Sequence, residues 1–593
     1  MFVEVRGLLM LTLAMLALGA GCGDDGGGSG STSDTTGESA TSGAVDPTTA
    51  GGLDDSSSTA TGDATTSSPT GESVTATSTG DDPTSAAETA ESSSGTTGEA
   101  IYHLAGTLSY EFVPFDPQAE KLDYMAIETR PIRGVSVRLL DAATDEELAA
   151  TVSDAAGAYA FDYAGVGEVK LWIFAETAEP VMRVEDNTDQ DAIYLLESET
   201  VVSAADASLD VVARTGWTGA GYDDPRFAAP FAVLDAAYDA AQRFLAETAP
   251  PPAFVPLVIN WSVENRPESG DKADGQIGTS HWDSSELYIL GKADIDTDEF
   301  DSHVIVHEWC HAFEATIART DTIGGAHGLG DIVDPRVAWS EGACNAMSAI
   351  ILDPQHLYTD TSGPLQGDSF VFDLELNDID PAKNPGWYGE ATVMTIVYDI
   401  YDGANEPFDQ VDGGLQAIYD AYLGQRTSPA LTTLFSFVAP LKAGLPLMAA
   451  EIDALAAYHS ADSDFGVTAI ADEWATGELH DGGTASNLPL YREGAVGTML
   501  AVDLVGGGSS NRLTQNRYIR IVGTGQPIFV ESTCPEDIDL KVYKSGEVVA
   551  TAASGSGDEL LDFDSSAGEI YVLTIQGFSD VPGDYSATIT IDN

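Results

Sequence analysis

The sequence predicts a multidomain chain: an α+β region flanked by two all-β sandwich domains, behind a disordered N-terminal tether. Three observations carry this. Residues 101–215 and 491–593 alternate apolar and polar side chains in short runs, the period of half-buried strands. Residues 216–490 place apolar side chains mostly at helical spacing and are long enough to bury a core of their own. Residues 23–100 are Ser, Thr, Gly, Asp and Glu with almost no large apolar side chains, so they cannot bury enough surface to fold.

Residues 1–22 read as a signal peptide, with Arg6 followed by an apolar run through Leu8–Leu18 that is too short for a comfortable membrane span. Its end, Gly19-Ala20-Gly21-Cys22, resembles a bacterial lipobox, with Leu18 one place earlier than the usual Leu. The resemblance implies lipidation at Cys22 and a place in the bacterial cell envelope, as an outer-membrane or cell-surface lipoprotein. An ordinary secretory signal is the alternative. The stretch 23–100 would then be a flexible linker between anchor and folded chain.

In 101–215, Gly134–Asp141 and Val169–Ala175 are strand-like, and Ser153–Phe161 supplies a turn and a return strand. Asp154, Gly157, Tyr159 and Phe161 form a D-x-x-G-x-Y-x-F element that resembles the carboxypeptidase-regulatory, transthyretin-like sandwich. In 491–593, Ile538–Tyr543, Ile570–Ile575 and Gly583–Ile589 alternate. Their D-x-D-L-x-V-Y and G-x-Y elements resemble the pre-peptidase C-terminal sandwich of secreted bacterial metallopeptidases. Asp537 and Asp539 are candidate calcium ligands there, and a solvated turn is the alternative reading.

The central region carries the chemistry. Phe231, Leu234, Tyr238 and Phe244-Leu245 predict a helix, Phe254–Trp261 a strand and Leu434–Leu441 another helix. His307-Glu308-Trp309-Cys310-His311 is an H-E-x-x-H motif. Residues four apart share a helix face, so His307 and His311 can grip one zinc ion, with Glu308 placed to take a proton from water. Phe300, Val304, Trp309, Phe313 and Ile317 recur at helical spacing, Thr297, Asp298 and Asp301 offer N-terminal signals, and no Pro or Gly interrupts 298–319. Glu341 and Asn345, i and i+4 on a following helix that Pro335 opens, share a face. Glu341 could be the third ligand, and Asn345 could accept from the outer nitrogen of a ligand His. The metzincin pattern is excluded, because Glu314 and Ile317 stand where it needs Gly and His.

HEWCH followed by EGACN resembles the gluzincin metallopeptidases, the thermolysin and fungalysin group, with Asn345 in place of the usual Asp. The likeness covers about residues 216–445. It implies a zincin-type metallopeptidase domain holding zinc through His307, His311 and Glu341, with Glu308 as general base. It further implies an oxyanion donor, for which Tyr388 stands where that group has a His; Tyr398 and His327 are lesser candidates. An edge strand that pairs with extended substrate would be Tyr288, Ile289 and Leu290, in the run Glu286–Gly291; an interior strand is the alternative. Nearby, His281 and His303 read as polar core or outer partners rather than ligands. A looser resemblance rests on Arg319–Gly325 (Arg-x-Asp-x-Ile-Gly-Gly), a run found in bacterial secreted proteins that carry HEW-x-H.

The formal charge of −72 argues against nucleic acid and against adhesion to anionic lipid by charge. Four cysteines fit an oxidising compartment. Cys22 would carry lipid, and Cys534 has no evident partner. Cys310 and Cys344 lie inside the two ligand motifs, where a disulfide would staple the helices; two small buried thiols is the alternative. The function expected is a lipid-anchored zinc peptidase acting on a peptide or protein substrate, against a non-catalytic surface-binding lipoprotein with an inactive zincin domain.

Overall fold

A computed structural model describes residues 100–165, 167–352, 356–375, 384–403, 408–460, 469–476 and 490–593. The expected signal peptide, Cys22 and the linker 23–100 lie outside the described residues. The chain is mixed α and β, and among the described residues no helix is long and apolar enough to cross a membrane.

The N-terminal strands form two sheets. The strand Ile101–Phe112 pairs with Ala158–Ala164 and Glu128–Pro131 on antiparallel ladders and with Ala207–Ser208 and Val211–Ala213 on parallel ones. Ala158–Ala164 alternates as its sequence predicts: Tyr159, Phe161 and Tyr163 are buried, and Gly157 turns the chain into it at φ 74°. The second sheet does not stop at residue 215. It runs from Glu147–Val152 through Val135–Asp141, Glu168–Thr177 and Met182–Asp186 into Leu257–Trp261, Leu287–Ile289 and His281–Trp282.

The expected boundary at 215 is therefore crossed by main-chain pairing. Met182–Asp186 and Leu257–Trp261 lie parallel, with Val184 opposite Ile259. Parallel neighbours need a crossover connection, usually a helix. Here it includes α1 (Ala229–Glu247), whose Phe231, Val233, Ala237, Ala240 and Phe244 are buried in the core shared with the sheet. The apolar alternation marks each strand but does not name its partner, so the sequence could not show that the first strand region and the helical region share one sheet.

Among the described residues six more α-helices follow: α2 (Ser302–Thr316), α3 (Pro335–Ile351), α4 (Glu390–Tyr401), α5 (Gly414–Arg426), α6 (Leu434–Gly444) and α7 (Ala449–His459). In α3 every residue is buried, and Asp334 caps its first turn by accepting from Arg336 N at 2.9 Å. Asp301 stands at the N-terminus of α2 but does not cap it. Its carboxylate instead accepts from Thr361 N–H at 2.7 Å, tying the helix start to the hairpin of Leu357–Ser362 and Asp368–Asp373.

Residues 491–593 close as two sheets, five- and four-stranded, around their own core of Val502, Leu504, Ile519, Val530, Leu573, Ile589 and neighbours. The strands expected at 538–543, 570–575 and 583–589 are all present.

Candidate metal centre

α2 and α3 pack side by side, joined by a disulfide between Cys310 and Cys344 with Cα atoms 5.3 Å apart. Each cysteine lies within three residues of a candidate ligand, so the bond fixes the two ligand-bearing faces against each other. His307 Nε2 and His311 Nε2 each lie 3.3 Å from Glu341 Oε2 and 3.0 Å from one another. The four ligands of tetrahedral zinc, at about 2.0–2.1 Å from the ion, stand roughly 3.4 Å apart. The three atoms thus already hold metal-ligand spacing. Glu341 Oε2 is buried and accepts no hydrogen bond. A buried carboxylate oxygen without a donor is costly unless a cation meets it. Two imidazoles and a carboxylate are also the donor set zinc takes, so the residues fit the ion.

Charge is concentrated here. Burial would raise the Glu341 carboxyl, but the imidazoles of His327, His311 and His307 outweigh it and hold it well below the usual carboxylate range. Burial would lower His311, but Glu341 and Glu314 raise it well above the usual imidazole value.

Glu308 is 1% exposed. Its Oε2 accepts from the backbone N–H of Trp282 at 3.0 Å, and its Oε1 has no partner. The strand His281–Trp282 thus aims the carboxylate by one oxygen and leaves the other available for a proton.

The outer support of the ligands differs from the expected one. Asn345 is buried one turn beyond Glu341, but its Oδ1 has no donor and neither does His307 Nδ1 have a partner. The expected Asn345-to-ligand bond is not made. The register of α3 instead sets Ser340 beside His311, with Oγ 3.2 Å from Nδ1, and Ser340 donates to the buried Glu314 at 2.6 Å. A Ser–Glu relay takes the place foreseen for Asn345.

Tyr288, Ile289 and Leu290 do not form a free edge. Leu287–Ile289 pairs with Leu257–Trp261 on one side and with His281–Trp282 on the other, and Leu290 N–H donates to Ser280 Oγ at 2.9 Å. Asp283 causes this by accepting from Ser285 and Glu286 N–H, which folds the chain back on itself. His281 stacks on Tyr288 at 5.3 Å and bonds Thr279 O. His303 bonds Ser348 Oγ at 3.3 Å, and burial pushes it down to about 3.

Tyr388 is buried, with its hydroxyl donating to Pro385 O at 3.3 Å, and Tyr398 is buried within α4. His327 lies against the candidate ligands, its Nε2 3.5 Å from Glu341 Oε2 and its Nδ1 2.9 Å from Glu390 Oε2. His327 is not one of the three atoms that converge for a metal. Glu390, the first residue of α4, was not singled out by sequence; its only signal is an acidic residue in a helix first turn. α4 can come this close because residue 342 is Gly: a Cβ there would meet Glu390 O at 2.6 Å and Val393 Cβ at 2.7 Å.

Elsewhere, Cys534 is buried and unpaired. Burial raises the carboxyls of Asp537 and Asp539, and neither belongs to a converging group of three ligands among the described residues.

No family model matches the chain, and no curated protein matches it. Part of the chain is weakly similar to the pre-peptidase C-terminal domain of collagenase from Bacillus anthracis, at 11% identity and TM-score 0.15 over 17% of this chain and 94% of that one. A 9R-lipoxygenase from Cyanothece PCC8801 is similar at 11% identity and TM-score 0.14, over 67% of this chain and 73% of that one. A β-glucosidase from Paenibacillus barengoltzii is similar at 8% identity and TM-score 0.10, over 83% and 70%. Likeness at this level carries no argument about activity.

Proposed function

We propose that the protein is a zinc-dependent peptidase of gluzincin type, secreted and held to the bacterial envelope by lipid on Cys22. The observation that carries the reading is the buried convergence of His307 Nε2, His311 Nε2 and the donor-less Glu341 Oε2 beside Glu308. When bound, zinc would supply Lewis-acid chemistry and make water acidic enough to attack at neutral pH.

The chain's own residues do the rest. Glu308, aimed by the Trp282 N–H, takes the proton of the attacking water on Oε1 and passes it to the leaving amine. His327, its Nδ1 held by Glu390, presents Nε2 as the donor to the oxygen that gains charge as the carbonyl becomes tetrahedral. This gives His327 the oxyanion role that the family resemblance suggested for Tyr388. Ser340 and Glu314 hold the His311 ring by its outer nitrogen.

The test is metal analysis with peptide-library cleavage, with and without chelator, for wild type and Glu308→Gln. One zinc per chain in both proteins, chelator-sensitive cleavage by wild type and none by the variant are expected. Zinc without cleavage of any library peptide would favour a non-catalytic surface lipoprotein. Equal cleavage by Glu308→Gln would overturn the assignment of the base.

A further inference from the structure

The loop that carries His327 is fastened in part from outside the helical region. Asn511, in the C-terminal sandwich, donates from Nδ2 to the carbonyl oxygens of Gly324 at 3.1 Å and Ala326 at 3.0 Å, the second of these being the residue before His327. Its own amide is oriented by Ser509, whose hydroxyl donates to Oδ1 at 2.5 Å. Its backbone carbonyl accepts from Asp334 N at 2.7 Å. The next residues extend the clamp: Arg512 pairs with Asp331 at 2.6 Å, and Leu513 N donates to Ile332 O.

The loop's sequence is shaped for this contact. Gly325 has φ +96°, and a Cβ there would lie 2.9 Å from Asn511 Nδ2. Both the backbone angle and the space call for glycine. The Ile-Gly-Gly run at 323–325 thus has a physical role: it lets a side chain of another sheet region reach the main-chain carbonyls of the residues on either side of Gly325.

We propose that Asn511 is a positioning residue for His327, so that the C-terminal sandwich is a working part of the metal centre. The proposal rests on the peptidase reading above for what His327 does, but not for how it is held. Glu390 fixes the imidazole by Nδ1, and Asn511 fixes the backbone from which the imidazole hangs. An Asn suits the task because one NH2 group supplies two donors, one for each carbonyl. Without it, two carbonyls lose their donor and the His327 ring drifts from its place 3.5 Å from Glu341 Oε2.

The experiment uses the full chain, zinc-loaded, with Asn511→Asp as the main variant. It keeps the shape but sets an acceptor against two acceptors. Asn511→Ala and Gly325→Ala break the contact from each side. The expected result is a kcat lower by about tenfold or more, with KM and zinc content little changed. On a His327→Ala background the same Asn511 change should have no further effect on kcat. A purely structural role would make the two losses multiply, and that outcome would overturn the proposal. Histidine-selective 15N labelling gives a readout independent of turnover: the His327 ring signals should shift or broaden in Asn511→Asp, while those of His303 stay. Unmoved His327 signals would overturn it. If the wild type cleaves nothing, the peptidase reading falls and the ring signals alone decide whether Asn511 positions His327.

Discussion

The two strand-rich regions that flank the helices look alike in sequence and are attached in different ways. Residues 101–215 join the helical region by main-chain pairing, Met182–Asp186 against Leu257–Trp261, and share its core from Leu104 to Phe437. Residues 491–593 bury most of their apolar side chains in a core of their own, reach the helical core through Tyr491, Leu513, Tyr518, Tyr543 and Val572, and otherwise dock through side chains and short backbone contacts. At that docking face Arg336 is 1% exposed, forks onto Asp334 through two 2.9 Å bonds, and lies 5.2 Å from the Tyr518 ring centroid. A ladder merges two regions into one folding unit. A docked face leaves two units that can influence each other through a few residues.

That contrast can be broken by truncation, which should have the largest effect. A chain beginning at residue 216 leaves Leu257–Trp261 with an unpaired, buried edge and should be recovered insoluble or without a cooperative melting transition. A soluble, cooperatively melting 216–593 protein would show that the ladder is dispensable. Next comes the docking face. Arg336→Ala leaves buried Asp334 without its cation and should cost about 3–5 kcal/mol by denaturant unfolding. A smaller loss would mean that the face is already open to water.

Core truncations sharpen the comparison. Ile259→Ala and Ile519→Ala each remove a fully buried side chain and should each cost about 2–5 kcal/mol. Hydrogen exchange should separate them. The first should raise exchange in both the N-terminal sheet and α1, and the second only within 491–593. Spread of the second effect into α2 would argue against a separate sandwich core.

The smallest effect is a slope with pH. His303 titrates near 3 in the folded chain because burial penalises its charge, against about 6.5 when unfolded. Between these values the unfolded chain binds more protons. Stability from this group is full above about 6.5 and is lost as pH falls toward 3, by up to about 1.4 kcal/mol per pH unit. Asp296 and Asp301, raised by burial to about 6 and about 7, give the opposite slope: they cost stability as pH rises from about 4 through those values. The wild type minus His303→Phe difference in stability across pH 4–7 isolates the histidine. A flat difference would show that His303 is reached by solvent.

Much of the centre was legible because helix geometry is local. H-E-x-x-H at 307–311 places two imidazoles on one face wherever its helix goes, and Glu341 lies on the next long helix. The D-x-x-G-x-Y-x-F turn and the strands at 538–543, 570–575 and 583–589 were legible for the same reason, since a two-residue period needs no knowledge of the partner.

Tertiary structure decided everything that depends on which segments meet. Leu287–Ile289 reads as a strand, but only the fold-back at Asp283 shows that both its sides are taken. Asn345 shares a face with Glu341, but the packing of α2 on α3 gives His311 to Ser340 and Glu314. The places of Cys310 and Cys344 in the two ligand motifs suggest a staple, but only the packing that brings their Cα atoms within 5.3 Å decides for it over two separate buried thiols. His327, Glu390 and Asn511 lie far apart in sequence, in a glycine-rich loop, a helix start and a distant sheet region, with no periodicity to link them. Sequence by itself determined the candidate ligand residues and the kinds of element that carry them, because those follow from spacing along each helix. Their partners follow from contacts between elements, which the chain acquires only when the elements pack.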